Sequence, residues 1–197
     1  MKQGLILSFF LILTACSSVG HNLAELTGLS FLHDRRDSAA IATDESIEDS
    51  GIIALHRLDD VKDKSHINIT SYNAKVLITG EAETEDVREK IISNIRIISG
   101  VKLVHDELII APASSMQSRS EDSLLTIRVK DALAEIDNMP GFDATRVKVI
   151  SENKVVYLMG IVHEEEGTIA AKTVQKVGGV KKIIAVFEYI DYANKNK

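Results

Sequence analysis

The sequence predicts an α+β protein of two tandem domains, each in the order α-β-β-α-β, with two helices packed on a three-stranded mixed sheet. Three observations carry that expectation. A strand–helix–strand unit occurs twice: Gly80 and Gly160 lie 80 residues apart, and Gly100 and Gly179 lie 79 apart. Each unit is led by a hairpin pattern, which gives an antiparallel pair, and closed by a helix crossover, which gives a parallel one. Composition agrees, since a chain 45% hydrophobic and 26% charged, with no tryptophan and 5% aromatics, calls for a folded aliphatic core.

Taken in order, residues 1–15 read as a signal peptide. Lys2 precedes an apolar run from Leu5 to Leu13, and small residues follow at once. The run falls short of the roughly 20 residues a membrane span needs. Leu13-Thr14-Ala15-Cys16 resembles a bacterial lipobox, so Cys16, the one cysteine in the chain, is the expected site of acylation. Ser17 after it, by resemblance to lipoproteins of Gram-negative bacteria, favours sorting to the outer membrane. A lone cysteine allows no intramolecular disulfide. Residues 16–43 read as the lipidated cysteine and a tether. In it Asp34-Arg35-Arg36 is expected to be solvated charge near the membrane, docking against the first domain being the alternative.

The first domain, 44–111, opens with a helix over about 45–60, interrupted by Gly51. Alternation over 67–72 predicts a strand, Asn73-Ala74 a tight turn, and 75–81 the returning strand. Thr84 caps a helix whose first turn holds Glu85 and Asp86, which suits the positive helix end. Val87, Ile91, Ile95 and Ile98 keep helical spacing, Gly100 ends the helix, and 101–110 is the closing strand.

Residues 112–119 have linker composition, and Ser118 with Glu121 has capping-box spacing for a helix running to about 137. The second domain, 120–191, repeats the pattern: a strand at 146–150, a turn at Glu152-Asn153, a strand at 154–161, a helix opened by Glu164-Glu165-Glu166, and a strand at 180–190. Ile169, Thr173, Val174 and Val177 are the expected buried side of that helix, and 192–197 is a tail.

Catalytic chemistry is missing from this pattern. The six histidines are dispersed and none pairs at helical spacing, so no metal site and no cofactor is expected. The three glutamates read as an acidic first turn rather than as an acid–base or cation cluster. A net charge of −6 argues against nucleic acid, and the GxxG loop of RNA-binding modules with this element order is missing. The expectation is a protein that is not an enzyme.

Charge and periodicity point to the second domain instead. Residues 44–111 hold 8 Lys and Arg against 14 Asp and Glu, whereas residues 119–197 hold 12 of each. An anionic lipid surface therefore repels the first domain and tolerates the second. On the helix leading the second domain, Leu125, Val129, Ala132, Leu133 and Ile136 complete a core stripe. Leu124 and Ile127 are apolar but off it, beside Arg128 and Lys130, as an interfacial contact requires. Burial of both within a broad stripe is the alternative. Met139-Pro140-Gly141-Phe142 either extends an apolar edge or plugs the domain's end.

Two αββαβ units behind a lipobox, with Lys75-Val-Leu-Ile-Thr-Gly80, Tyr157-Leu-Met-Gly160 and Asp34-Arg35-Arg36, resemble the dual-BON-domain lipoproteins over nearly the whole chain. That resemblance implies two BON domains in an outer-membrane lipoprotein facing the periplasm. It also implies that the first helix of the second domain binds anionic phospholipids such as phosphatidylglycerol and cardiolipin, in support of envelope integrity. Where a member of that family has a tryptophan on this helix, this chain has Leu124, so the interfacial aromatic is absent. A protein–protein adaptor that docks envelope proteins is the alternative function.

Overall fold

The computed structural model describes residues 34–191; the signal peptide, Cys16 and most of the tether lie outside the described residues. Element order is α1 Ser38–His56, α2 Asp59–Lys62, β1 Ser65–Tyr72, β2 Lys75–Ala82, α3 Glu85–Arg96 and β3 Leu103–Ile110. The second domain follows with α4 Met116–Ala134, a 3₁₀ turn Ala144–Arg146, β4 Lys148–Glu152, β5 Val155–Val162, α5 Glu164–Val174 and β6 Lys182–Tyr189. Both sheets are mixed: β1-β2-β3 and β4-β5-β6 each pair their first two strands antiparallel and their last two parallel.

Each hairpin closes through two residues at positive φ, Asn73 and Ala74 in one copy and Asn153 and Lys154 in the other. Neither copy uses glycine there, so both turns need outside support. An aspartate on the leading helix supplies it. Asp44 accepts the Asn73 and Ala74 N–H groups, both at 2.7 Å, and Asp122 accepts those of Asn153 and Lys154, both at 2.9 Å. The second turn thus sits one residue later than the Glu152-Asn153 expected. The repeated glycine has a steric cause. A Cβ on Gly80 (φ +117°) would stand 2.0 Å from the His66 carbonyl oxygen, and one on Gly160 would stand 2.3 Å from that of Arg146.

Several local expectations shift. Helix α1 begins at Ser38, inside the stretch read as tether, because the Asp37 side chain caps it by accepting the Ala40 N–H at 2.7 Å. Gly51 does not interrupt it: a Cβ there would meet Ile69 at 2.9 Å and Ile95 at 3.0 Å, so glycine lets the helix lie close on sheet and neighbour. Helix α4 begins at Met116 with Ser115 as its cap, before the expected Ser118, and so enters the stretch read as linker. On α5 the buried positions are Glu166, Gly167, Ala170 and Val174; of the expected side Val174 is buried and Val177 packs on the core, while Ile169 and Thr173 are half-buried. Phe142 packs into the second core and plugs the domain's end.

The largest difference concerns the sheets. A single helical cover over a half-buried sheet is what one domain suggests, yet both faces are covered. Ile47, Leu55, Val76, Ile78, Ile91 and Ile95 build one helix-side core; Leu125, Val129, Leu133, Val156, Leu158 and Val174 build the other. A third core, Tyr72, Leu77, Tyr157, Met159 and Ile161, joins the remaining faces of the two sheets. Strands β2 and β5 are therefore buried on both sides, as their burial patterns show.

Candidate functional site

Helix α4 turns Leu125, Val129 and Leu133 inward, all 2% exposed or less. Helical geometry then puts Leu124, Ile127 and Met116 on the opposite side, where they are 56%, 54% and 74% exposed. Arg128 and Lys130 are exposed and flank that apolar group, as does Asp131. The alternative of a broad stripe burying Leu124 and Ile127 does not occur. The Arg128 guanidinium lies near Gly179, where an added Cβ would stand 3.3 Å from Nη2. Among the described residues no helix is long and apolar enough to cross a membrane.

Counting from the clamp aspartates, Asp44 and Asp122, aligns the two leading helices. Core positions match: Ile47 with Leu125, Gly51 with Val129, and Leu55 with Leu133, all buried. Outward positions do not. Ser46, Asp49, Ser50 and Ile52 stand where the second domain has Leu124, Ile127, Arg128 and Lys130. The apolar residues that α1 does expose, Ile52 and Ile53, lie one to two turns further along, at 47% and 53%.

Between the sheets, polar groups from each domain grip the other. Asn68 Nδ2 donates to Glu152 Oε2 and Asn153 Nδ2 donates to Glu81 Oε1, both at 2.6 Å. Asn73 donates to Glu188 at 2.9 Å, which also pairs with Lys75 at 3.0 Å, and Lys148 reaches Glu48 at 3.0 Å. His66 Nδ1 stands 3.1 Å from Glu81 Oε2 and 3.9 Å from Glu152 Oε1. Burial, opposed by the Asn68 hydrogen bond and reinforced by the charges of Glu81 and Asp122, pushes the Glu152 carboxyl up to about 7. Burial alone would raise Glu81 too, but hydrogen bonds from Asn153, Ser114 and His66 outweigh it and hold that carboxyl low.

The Asp34-Arg35-Arg36 segment is neither solvated nor confined to the first domain. Arg36 pairs with Asp34 at 2.6 Å and Asp44 at 2.7 Å and lies 3.8 Å above the Tyr72 ring. Tyr72 in turn donates to Asp34 at 3.0 Å. Arg35 crosses to the second domain, donating to the Ile161 carbonyl at 2.9 Å and to Glu166 at 3.0 Å. Glu166 also pairs with Arg146 at 2.9 Å, so this buried glutamate does more than complement a helix end. Burial opposes ionisation of Asp34, Asp44 and Glu166, but their arginine and hydrogen-bond partners outweigh it and all three carboxyls are held low.

Sequence reasoning named Leu124, Ile127, Arg128 and Lys130, and the structure gathers them on one helix face. Cys16 lies outside the described residues. Sequence reasoning singled out the Asp34-Arg35-Arg36 strap but weighed docking on the first domain alone, and it missed the His66, Glu81, Glu152 cluster, whose members come from two domains. The one available signal was the apolar character of β2 and β5 on both faces, which implies a second covering layer.

Comparison with known proteins gives a consistent result. Residues 50–112 and 121–191 each match the family model of the BON domain. The chain is 35% identical over 158 residues to the outer membrane lipoprotein DolP of Haemophilus influenzae, covering 80% of each chain. It is 30% identical over 157 residues to a 21 kDa hemolysin of Actinobacillus pleuropneumoniae, covering 80% of this chain and 79% of that one. Among solved structures, the C-terminal domain of CdsD, a structural protein of the type III secretion system of Chlamydia trachomatis, aligns at 15% identity and a TM-score of 0.30. That alignment covers 75% of this chain and 67% of the other, a likeness too distant to bear on fold or function.

Proposed function

We propose, from the premise that this chain belongs to the BON-domain family as a dual-BON lipoprotein of the outer membrane, that its second domain binds anionic phospholipid through the outward face of α4. One observation carries the reading: Leu124 and Ile127 are more than half exposed between Arg128 and Lys130, and α1 keeps the core positions but none of these four. Exposed leucine and isoleucine side chains enter the acyl boundary, while each basic residue near an anionic surface adds about 1 kcal/mol. Cys16 anchors the chain by acylation, and the second domain then meets phosphatidylglycerol or cardiolipin headgroups already close by. The anchor raises the effective concentration of the second domain at the membrane, so a weak headgroup contact suffices there. The protein supports envelope integrity in this way and performs no catalysis.

Co-sedimentation of the unlipidated chain, residues 17–197, with anionic and zwitterionic vesicles tests the proposal. Recovery should favour the anionic vesicles and fall about tenfold or more with Leu124→Asp, while Ile52→Asp leaves it unchanged. Equal recovery with both vesicle types would sink the lipid reading. A second reading, docking of an envelope protein, draws on exposed Ile52 and Ile53 of α1, which the acidic first domain keeps away from anionic lipid. It predicts one dominant cross-linked partner in cells whose loss mislocalises this protein.

A further inference from the structure

The polar contacts between the sheets contain a group with the chemistry of a metal site. His66 Nδ1 and one oxygen each of Glu81 and Glu152 all lie within 4.8 Å of one another. Both carboxylates are nearly inaccessible, at 2% and 4% exposure, and among the described residues neither forms an ion pair with Lys or Arg. Arg119, on the same cleft, acts on Glu152 through its charge, but its guanidinium is held by the Ser114 carbonyl at 2.8 Å and forms no ion pair with either carboxylate. Two buried carboxylates facing one imidazole offer three donors of the types that ligate a divalent cation.

The donors are also oriented in advance. Each carboxylate has one oxygen fixed by an asparagine of the opposite domain, Asn68 on Glu152 and Asn153 on Glu81, and each turns its other oxygen toward His66. Outer hydrogen bonds of this kind fix ligand geometry in metal sites. Glu81 Oε2 is further held by the Ser114 N–H at 3.0 Å. The Thr79 hydroxyl is a separate observation. It is buried without a hydrogen-bond partner, two residues before Glu81 on the same face of β2 and opposite Asn68 in the register. A cleft of about 330 Å³ lined by His66, Asn68, Arg119 and Glu152 leads in from solvent.

We infer that His66, Glu81 and Glu152 form a divalent transition-metal site that clamps the two domains together. One imidazole and two carboxylates suit a zinc-like ion better than Ca²⁺ or Mg²⁺, which favour all-oxygen sets. Zinc–ligand distances of about 2.0–2.2 Å put tetrahedral donors roughly 3.4 Å apart, so His66 and Glu81 at 3.1 Å already fit and Glu152 at 3.9 Å must close on His66 by about half an ångström, with water as the fourth ligand. Because His66 and Glu81 belong to the first domain and Glu152 to the second, the ion would tighten their contact. Nothing in this inference depends on lipid binding.

The test uses the full-length chain in detergent, stripped with chelator and titrated calorimetrically with ZnCl₂ and, separately, CaCl₂. The expected result is one Zn²⁺ per chain, no comparable Ca²⁺ binding, and a loss of affinity of at least about tenfold in both His66→Asn and Glu152→Gln. Saturating Zn²⁺ should raise the melting temperature by about 5 °C. No saturable binding, or binding unchanged in both variants, overturns the site. Should either variant misfold by circular dichroism, zinc-edge X-ray absorption of the wild-type complex decides. One imidazole with oxygen ligands supports the site, and any other ligand set overturns it.

Discussion

The two domains share a backbone plan and differ in what their leading helices do with it. In the first, Asp44 holds the hairpin turn, the Ser71 hydroxyl at 2.6 Å and Arg36 at 2.7 Å, so the helix is tied to turn, strand and strap together. In the second, Asp122 holds the turn through Asn153 and Lys154, and α4 instead displays apolar and basic side chains outward. A repeated fold therefore conserves the contacts that form it and leaves the outward face free to change. The leading helix of the first domain carries the additional ties to strand and strap, and that of the second exposes apolar and basic side chains.

The largest expected effect tests that contrast directly. Asp44→Ala leaves Arg36 Nη1, a hydroxyl and two turn N–H groups without their acceptor, although Arg36 keeps Asp34, and should cost about 4 kcal/mol. Asp122→Ala strands two turn N–H groups and should cost about 2 kcal/mol. Urea midpoints measure both, and equal losses would erase the distinction between the clamps.

Acid sharpens the comparison next. Asp34, Asp44 and Glu166 are held below their ordinary values in the folded state, so their stabilising contribution is present above roughly pH 4 and lost as pH falls through the depressed values. The urea midpoint should decline below about pH 4, and Asp44→Asn and Glu166→Gln should each flatten part of that decline. A decline unchanged by both substitutions would mean that the strap carboxylates do not control acid stability.

The smallest effect concerns the outward faces. Asp131 is the acid among the exposed apolar residues of α4, and removing its charge with Asp131→Asn should strengthen partitioning to anionic vesicles about fivefold. Asp49→Asn on α1 should change nothing. Equal gains from both would show that net charge, not the α4 face, governs binding.

Most of the local structure was legible from residue order. Thr84 accepts the Val87 N–H as a cap should, Val87, Ile91 and Ile95 are buried at their spacing, and both sheets have the mixed pairing that hairpin and crossover demand. Helix starts were less legible, since Asp37 and Ser115 cap as well as any residue a few positions later and only packing chooses among them. The outward face of α4 was legible for the reason its core stripe was: both follow from one helical period.

What the sequence determined by itself is thus what depends on short range: two αββαβ units, the Asn73-Ala74 turn and the core stripes of α3 and α4, with Leu124 and Ile127 falling off the stripe. The tertiary structure alone decided what covers the second face of each sheet, where the Asp34-Arg35-Arg36 strap lands, and that His66 meets Glu152. Periodicity records that a side chain is buried but not by which distant strand. Only the packing of one sheet on the other brings together groups that the chain keeps more than eighty residues apart.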